Sequence, residues 1–184
     1  MQTLAEIPFW FLRHGQTDWN AKDLSQGNVD IPLNAVGIQQ AHDAAARLVG
    51  RGIVSIVCSP LSRAHDTAKI VAEKLALPIT EIDERLREVS FGVQEGQEMG
   101  DWFADWVDGN FTPEGAESFP ELRRRSVAAV NRVLRLPAPV LIVAHGAVFR
   151  ALRAEMGLPP NVRTPNAVPF LCEPGSPQWT LREP

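Results

Sequence analysis

The sequence predicts an α/β fold: a three-layer α/β/α sandwich with a mostly parallel central sheet, helices on both faces and a small cap region. Three observations carry that expectation. Short continuous apolar runs at 9–13, 53–58 and 140–144 read as strands buried on both faces. Stripes of apolar residues at helical spacing alternate with them, which is the pattern of strand–helix–strand units. Two of the runs also stop abruptly in a histidine and a glycine, at His14-Gly15 and His145-Gly146. A glycine there lets the chain turn sharply, and in open α/β sheets ligands bind just outside the carboxyl ends of the strands.

In order, the first strand is Phe9–Arg13. The stretch 17–33 is polar and is expected to be irregular. The first helix starts near Asn34, a good N-cap, with Ile38, Ala41, Ala45, Leu48 and Val49 on its apolar face and Gly50 and Gly52 at its end. The second strand is Ile53–Cys58. Ser59-Pro60 is read as cap and first helical residue of the next helix, whose stripe is Leu61, Ala64, Ala68, Val71 and Leu75. A short strand is expected at 78–82. The segment 83–117 is charged, contains glycines and includes a short helix at 101–107. It is the expected cap or lid within a single domain, 1–184. Ser118 and Glu121 have capping-box spacing and open a helix ending by Pro137. Val140–Ala144 is the next strand, Ala147–Met156 the next helix. Two strands near 167–172 and 178–181, joined at Gly175, are expected to form an edge hairpin.

The 184 residues carry 18 basic and 22 acidic side chains, a net charge of −4. That balance argues against broad nucleic-acid or acidic-membrane binding. Two cysteines, Cys58 and Cys172, make neither a disulfide framework nor a metal cluster and fit a reducing compartment. The start of the chain has Glu6 and no basic leader, and its apolar run is too short to span a bilayer. The expectation is a cytoplasmic protein.

Four features converge on one sheet edge. Arg13-His14 and His145-Gly146 sit at strand ends. Arg63 lies in the first turn of the helix after the second strand, where backbone N–H groups favour anions. Glu88 lies in the loop Leu86-Arg87-Glu88-Val89. Two arginines, two histidines and a carboxyl group suit phosphoryl transfer. Arginine forks match phosphate oxygens, a neutral histidine is a nucleophile, a second histidine donates a hydrogen bond to the developing charge, and a carboxylic acid protonates the leaving oxygen. Cys58 and Arg63 do not form a cysteine-phosphatase loop, because four residues separate them instead of five. No phosphate-cradling glycine loop and no Gly-x-Ser-x-Gly elbow is present.

Read together, the motifs resemble the histidine phosphatase superfamily, the phosphoglycerate-mutase-like proteins. The resemblance rests on Leu12-Arg13-His14-Gly15-Gln16-Thr17 with Trp19-Asn20, on Gln26-Gly27 with Asp30 and Pro32-Leu33, and on Ser59-Pro60-Leu61-Ser62-Arg63-Ala64. It continues through Leu86-Arg87-Glu88 with Phe91-Gly92 and ends at Val143-Ala144-His145-Gly146. The resemblance implies that His14 is the phosphorylated nucleophile, that Arg13, Arg63 and His145 hold the transferred group, and that Glu88 is the proton donor. It implies further phosphate or substrate contacts from Asn20, Gln26, Gly27, Thr17 and the backbone N–H of Gly146. No metal and no cofactor is implied. His42 and His65, on helices, have no ligand partners at useful spacing.

The expected activity is hydrolysis of a small phosphate monoester, with inorganic phosphate as product. A homodimer is admitted; nucleic acid and membrane are not expected partners. The alternatives are a cofactor-dependent phosphoglycerate mutase and a non-catalytic phospho-ligand-binding module. Family mutases carry a long insertion, with extra basic residues, between the acid and the second histidine. Here that stretch is short, and Arg123 to Arg125 fall on a helix. For short members the resemblance implies sugar phosphates, phosphoglycerates or a nucleotide-like monoester such as α-ribazole phosphate. Phe91, Trp102, Trp106 and Phe119 are divided between pocket and core.

Overall fold

The computed structural model describes residues 2–184. Its sheet has six strands in the order β3-β2-β4-β1-β5-β6. They are β1 Phe9–Arg13, β2 Ser55–Cys58, β3 Glu81–Ile82, β4 Val140–Ala144, β5 Pro169–Glu173 and β6 Thr180–Arg182. The first four strands in that order run parallel, and β5 and β6 add an antiparallel edge hairpin. The pleat sends alternate residues to opposite faces. Phe9 and Phe11 of β1 join one core with Val57, Ile142 and Ala144, whereas Trp10 and Leu12 join a second core with Ile56, Leu141 and Val143. Helices α5 (Phe119–Val133) and α6 (Gly146–Glu155) cover the first face. Helices α2 (Ala35–Leu48) and α3 (Ser62–Leu75) cover the second. This is the expected sandwich. Phe11 stacks on Phe149 of α6 with ring centroids 4.2 Å apart, and truncating such a buried ring costs about 3–5 kcal/mol.

Several local expectations are corrected. The stretch 17–33 is not wholly irregular: α1, Asp18–Ala21, is a single turn closed by a capping box between Thr17 and Asn20. Helix α3 does not begin behind Ser59; it starts at Ser62 behind Leu61, and the Ser59 hydroxyl bonds both Leu61 N and His145 Nε2. Ile38 and Val49 do not face the core but are 45% and 53% exposed. The helix rotates them outward while Gly37, Ala41, Ala44, Ala45 and Leu48 pack inward.

Segment 83–117 contains two 3-10 turns, Glu84–Leu86 and Gly92–Gln94, and α4, Trp102–Val107. Phe91, Phe103, Trp106 and Phe119 belong to the same core as α5 and α6. Edge-to-face contacts join them, with Phe91 to Trp106 at 5.2 Å and Trp106 to Phe119 at 5.1 Å. Trp106 is fully buried and donates its ring N–H to Glu117 O at 2.9 Å. The cap segment is thus packed down onto the sandwich. Among the described residues no helix is long and apolar enough to cross a membrane.

Candidate active site

The site forms where β1, β4 and β2 end side by side. Register pairs Arg13 with Ala144 and Cys58 with Val143. The main chain stays paired one step beyond the strands: His14 N donates to Ala144 O and Ser59 N to Val143 O, both at 3.0 Å. His14 and Ser59 are therefore fixed by backbone before any side-chain contact is made, and His145 follows the last residue of β4 directly. The loop after β1 then lies against α2 so closely that a Cβ on Gly15 would stand 2.3 Å from Gly37 O. Only glycine permits that approach. Gly15 N also donates to the Thr67 hydroxyl of α3, at 3.1 Å.

His14 is 2% exposed, and its Nδ1 lies 2.7 Å from the carbonyl oxygen of Gly15. A carbonyl only accepts, so Nδ1 carries the proton and Nε2 keeps its lone pair. Burial, and then the charges of Arg63 and Arg13, hold the ring well below the ordinary histidine value, so it stays neutral at physiological pH. His145 lies beside it, with ring centroids 5.3 Å apart. Burial, with Arg63 next in weight, holds it well below the ordinary value too. Its Nε2 is 2.7 Å from Ser59 Oγ. That oxygen accepts from Leu61 N at 3.3 Å, and its own proton has its acceptor in Nε2. Hydrogen-bond bookkeeping thus places the His145 proton on Nδ1, a buried donor with no protein partner.

Arg13 and Arg63 flank the pair. Arg63 is fully buried and donates to Val29 O and Gly27 O, each at 2.8 Å. Arg13 donates to Thr164 O. Each keeps a buried Nε–H without partner. Burial pushes Arg13 down to about 10, with Glu88 opposing, and lowers Arg63 as well. The Glu88 carboxyl sits at the N-terminus of α6. It accepts from Ala147 N at 3.0 Å, Val148 N at 3.3 Å and its neighbour Val89 N at 3.1 Å. Its loop is held by Arg125 of α5, which donates to Arg85 O at 2.6 Å and Arg87 O at 2.9 Å and pairs with Glu117 at 2.7 Å.

Arg13, His14, Asn20, Gln26, Gly27, Arg63, Glu88 and Gly146 line one cavity of about 390 Å³. Asn20 uses its amide oxygen on Thr17 N (3.2 Å) and Asn166 Nδ2 (3.3 Å), and Gln26 uses its own on the Thr17 hydroxyl (2.7 Å). Both NH2 groups are left for a ligand. Thr17 lies behind these two residues and does not line the cavity; it positions Gln26 and caps α1. Cys58 is buried, and burial pushes its thiol up to about 12, so it is no nucleophile. Among the described residues no group of three or more His, Cys, Asp or Glu side chains could hold a metal ion.

Residues 9–167 match the family profile of the histidine phosphatase superfamily, branch 1. The chain belongs to this superfamily. A curated relative, the probable phosphoglycerate mutase GpmB of Yersinia enterocolitica, is 41% identical over 84% of this chain and 77% of its own length. The protein of the same name in Yersinia pestis is 40% identical over 83% and 76%. Among solved structures, a mycobacterial glucosyl-3-phosphoglycerate phosphatase in complex with VO3 superposes with a TM-score of 0.84 at 33% identity, over 96% of this chain and 97% of that one. A putative α-ribazole-5'-P phosphatase from Escherichia coli does so at 0.80 and 27%, over 97% and 96%.

Within this member of the superfamily, four residues at the candidate site escaped the sequence reading. Asn166 donates to His14 O at 2.9 Å and steadies the nucleophile loop. Arg150, Arg163 and Phe103 line the cavity. Arg150 was legible in principle, since it stands four residues after Gly146 on a helix and so on the same face. Arg163 and Asn166 lie in an irregular stretch with no period to betray them.

Proposed function

We propose that this chain is a phosphate monoester hydrolase that works through a phosphohistidine at His14. The observation that carries the reading is the cluster at His14: a neutral histidine with Nε2 unprotonated lines the cavity with Arg13 and Arg63, His145 lies beside it with ring centroids 5.3 Å apart, and Arg13, Arg63 and His145 each hold a buried N–H without a partner among the described residues. Unpaired buried donors are costly unless an acceptor arrives, and a phosphoryl group offers three oxygens. His14 Nε2 attacks phosphorus in line as the bond to the ester oxygen breaks. Glu88 gives its proton to the departing alkoxide. Water then attacks the phosphohistidine, Glu88 takes back a proton, and phosphate leaves with His14 restored. The arginines and His145 Nδ1 meet the charge on the equatorial oxygens.

The names of the Yersinia relatives favour a second reading, a mutase that returns the phosphoryl group to another hydroxyl. Against it, two of the three arginines at 123–125 of α5 are engaged, since Arg123 pairs with Glu155 at 2.6 Å and Arg125 holds Glu117 and two carbonyls, and the third, Arg124, is exposed. The deciding experiment is a screen of phosphate monoesters, including 3-phosphoglycerate with and without its bisphosphate. Phosphate release from wild type, reduced about ten-thousandfold in His14→Ala, is the expected result. Isomerisation outpacing phosphate release would make the enzyme a mutase.

A further inference from the structure

Both histidines at the site are buried and neutral, so each ring has one bare nitrogen, and which one it is decides what the ring can do. For His14 a main-chain carbonyl makes that choice, which no side-chain substitution removes. For His145 the choice rests on one side chain. His145 precedes α6, yet its ring does not cap that helix; the amides of Ala147 and Val148 go to Glu88 instead. The one hydrogen-bonded contact of its ring is Nε2 to Ser59 Oγ, at 2.7 Å.

Two arrangements are open to that contact. In the first, the hydroxyl donates to a bare Nε2, and Nδ1–H is the only group of the pair without a partner among the described residues. In the second, Nε2–H donates to the oxygen. The hydroxyl proton then has no acceptor among the described residues, and a bare Nδ1 is stranded as well. The first strands one buried group and the second strands two, so the first is the stable one.

We propose that Ser59 is a positioning residue for phosphoryl transfer: its hydroxyl holds His145 in the tautomer with Nδ1 protonated, and so makes that ring a donor to the transferred group. The proposal rests on the phosphatase reading for the group that Nδ1–H meets. Ser59 is fully buried, its N–H donates to Val143 O at 3.0 Å, and its Oγ accepts from Leu61 N at 3.3 Å. Hydroxyl and ring are thus carried on paired strand ends, and neither swings away while the pairing holds. In the reversed tautomer a bare Nδ1 would meet phosphoryl oxygens lone pair to lone pair, and help would become repulsion. Arg13 and Arg63 cannot be reversed in this way, because a guanidinium has no acceptor. Of the three donors, His145 alone depends on a neighbour for its sign.

The test compares Ser59→Ala, which removes the hydroxyl, with Ser59→Thr, which restores it. Nitrogen-15 NMR of the histidine rings tells a protonated nitrogen from a bare one, and His14→Ala and His145→Gln identify the two rings. Wild type is expected to show both with Nδ1 protonated. In Ser59→Ala the His14 ring should stay as it is, which reports an intact site, while His145 should lose its single tautomer and populate Nε2–H. Its kcat should fall about ten- to a hundredfold. The factor should be the same for an alkyl and an activated aryl phosphate, since His145 acts on the phosphoryl group and not on the leaving group. Ser59→Thr should recover most of both; if its extra methyl does not fit, the Ala variant decides alone. Persistence of Nδ1–H alone in Ser59→Ala overturns the proposal, and so does a changed tautomer with unchanged kcat. If wild type hydrolyses no monoester, the phosphatase reading falls, and calorimetric binding of inorganic phosphate replaces turnover. Weaker binding together with the changed tautomer then upholds the positioning role, and unchanged binding refutes it.

Discussion

The floor of the cavity is made of strand ends, whereas its rim is made of loops tied by arginine side chains. On the floor and directly beneath it, His14 and Ser59 hang from main-chain bonds to the neighbouring strand, each 3.0 Å long, and His145 is fully buried. On the rim, Arg163 and Asp23 meet at 3.0 Å with side chains 66% and 70% exposed. Glu88 belongs to both: its loop is a rim loop, but its carboxyl is seated on the N-terminus of α6. Pairing in a sheet interior leaves a group one position, while exposed ion pairs fix little. The groups proposed to act on the phosphate thus sit where the fold is stiffest. The exposed rim sits where sequence can change without disturbing the sheet.

The sharpest way to separate the two regions is Glu88→Gln. Turnover of alkyl phosphates should fall about a hundredfold or more, and that of an activated aryl phosphate, whose leaving group needs no proton, far less. Equal losses on both would remove Glu88 from the proton-donor role. Next comes the strut between rim and floor. Arg125→Ala should slow alkyl phosphates about ten- to a hundredfold, because small displacements of a catalytic group are that costly. It should also lower stability by about 2 kcal/mol through the lost bonds to two carbonyls and Glu117. The positioning role fails if the urea midpoint drops while the alkyl-to-aryl rate ratio stays put.

A smaller effect is expected from the floor alone. His14 and His145 are held well below their ordinary value when folded, by burial first. Below pH of about 6.5 the unfolded chain binds protons that the folded chain refuses, so stability must fall as pH is lowered through that region and level off above it. Urea unfolding at pH 7.5 and 5.5 measures the slope, and His14→Ala should flatten it. The smallest effect belongs to the rim: Arg163→Gln should move the melting temperature by no more than about 2 °C, since an exposed pair is worth about 0–1 kcal/mol. A larger shift would mean that the rim is as firmly built as the floor.

The same division decided what could be read from the sequence. Arg13, His14 and His145 were legible because a buried strand announces itself as an apolar run, and whatever follows it must lie at the sheet edge. The place of Arg63 in a first helical turn suited a solvated arginine equally well, because a cation there opposes the helix dipole, and only the resemblance put it at the site. Glu88 carried no signal of its own and depended on the resemblance to other sequences. Ser59 looked like a helix cap, because cap propensity is local; besides Leu61 N it meets a second, closer partner 86 residues away in the chain. The one-turn helix α1 was hidden by its length, although Thr17 and Asn20 stood at cap spacing. Val49 and Ile38 show the limit of counting apolar spacing, since a small shift in phase carries an end residue out into water.

His14 and His145 are 131 positions apart in the sequence, yet they stand on strands bonded directly to each other. Neither the first third of the chain nor the last can make the site alone, and pairing β1 with β4 closes one of the longest loops in the fold. Catalysis is therefore a reporter of assembly. A refolding chain should gain helical signal before it gains any ability to release phosphate, and that ability should appear in step with burial of Phe11 against Phe149. Growing chains emerging from synthesis would stay inert until β4 has been added and has found its partner.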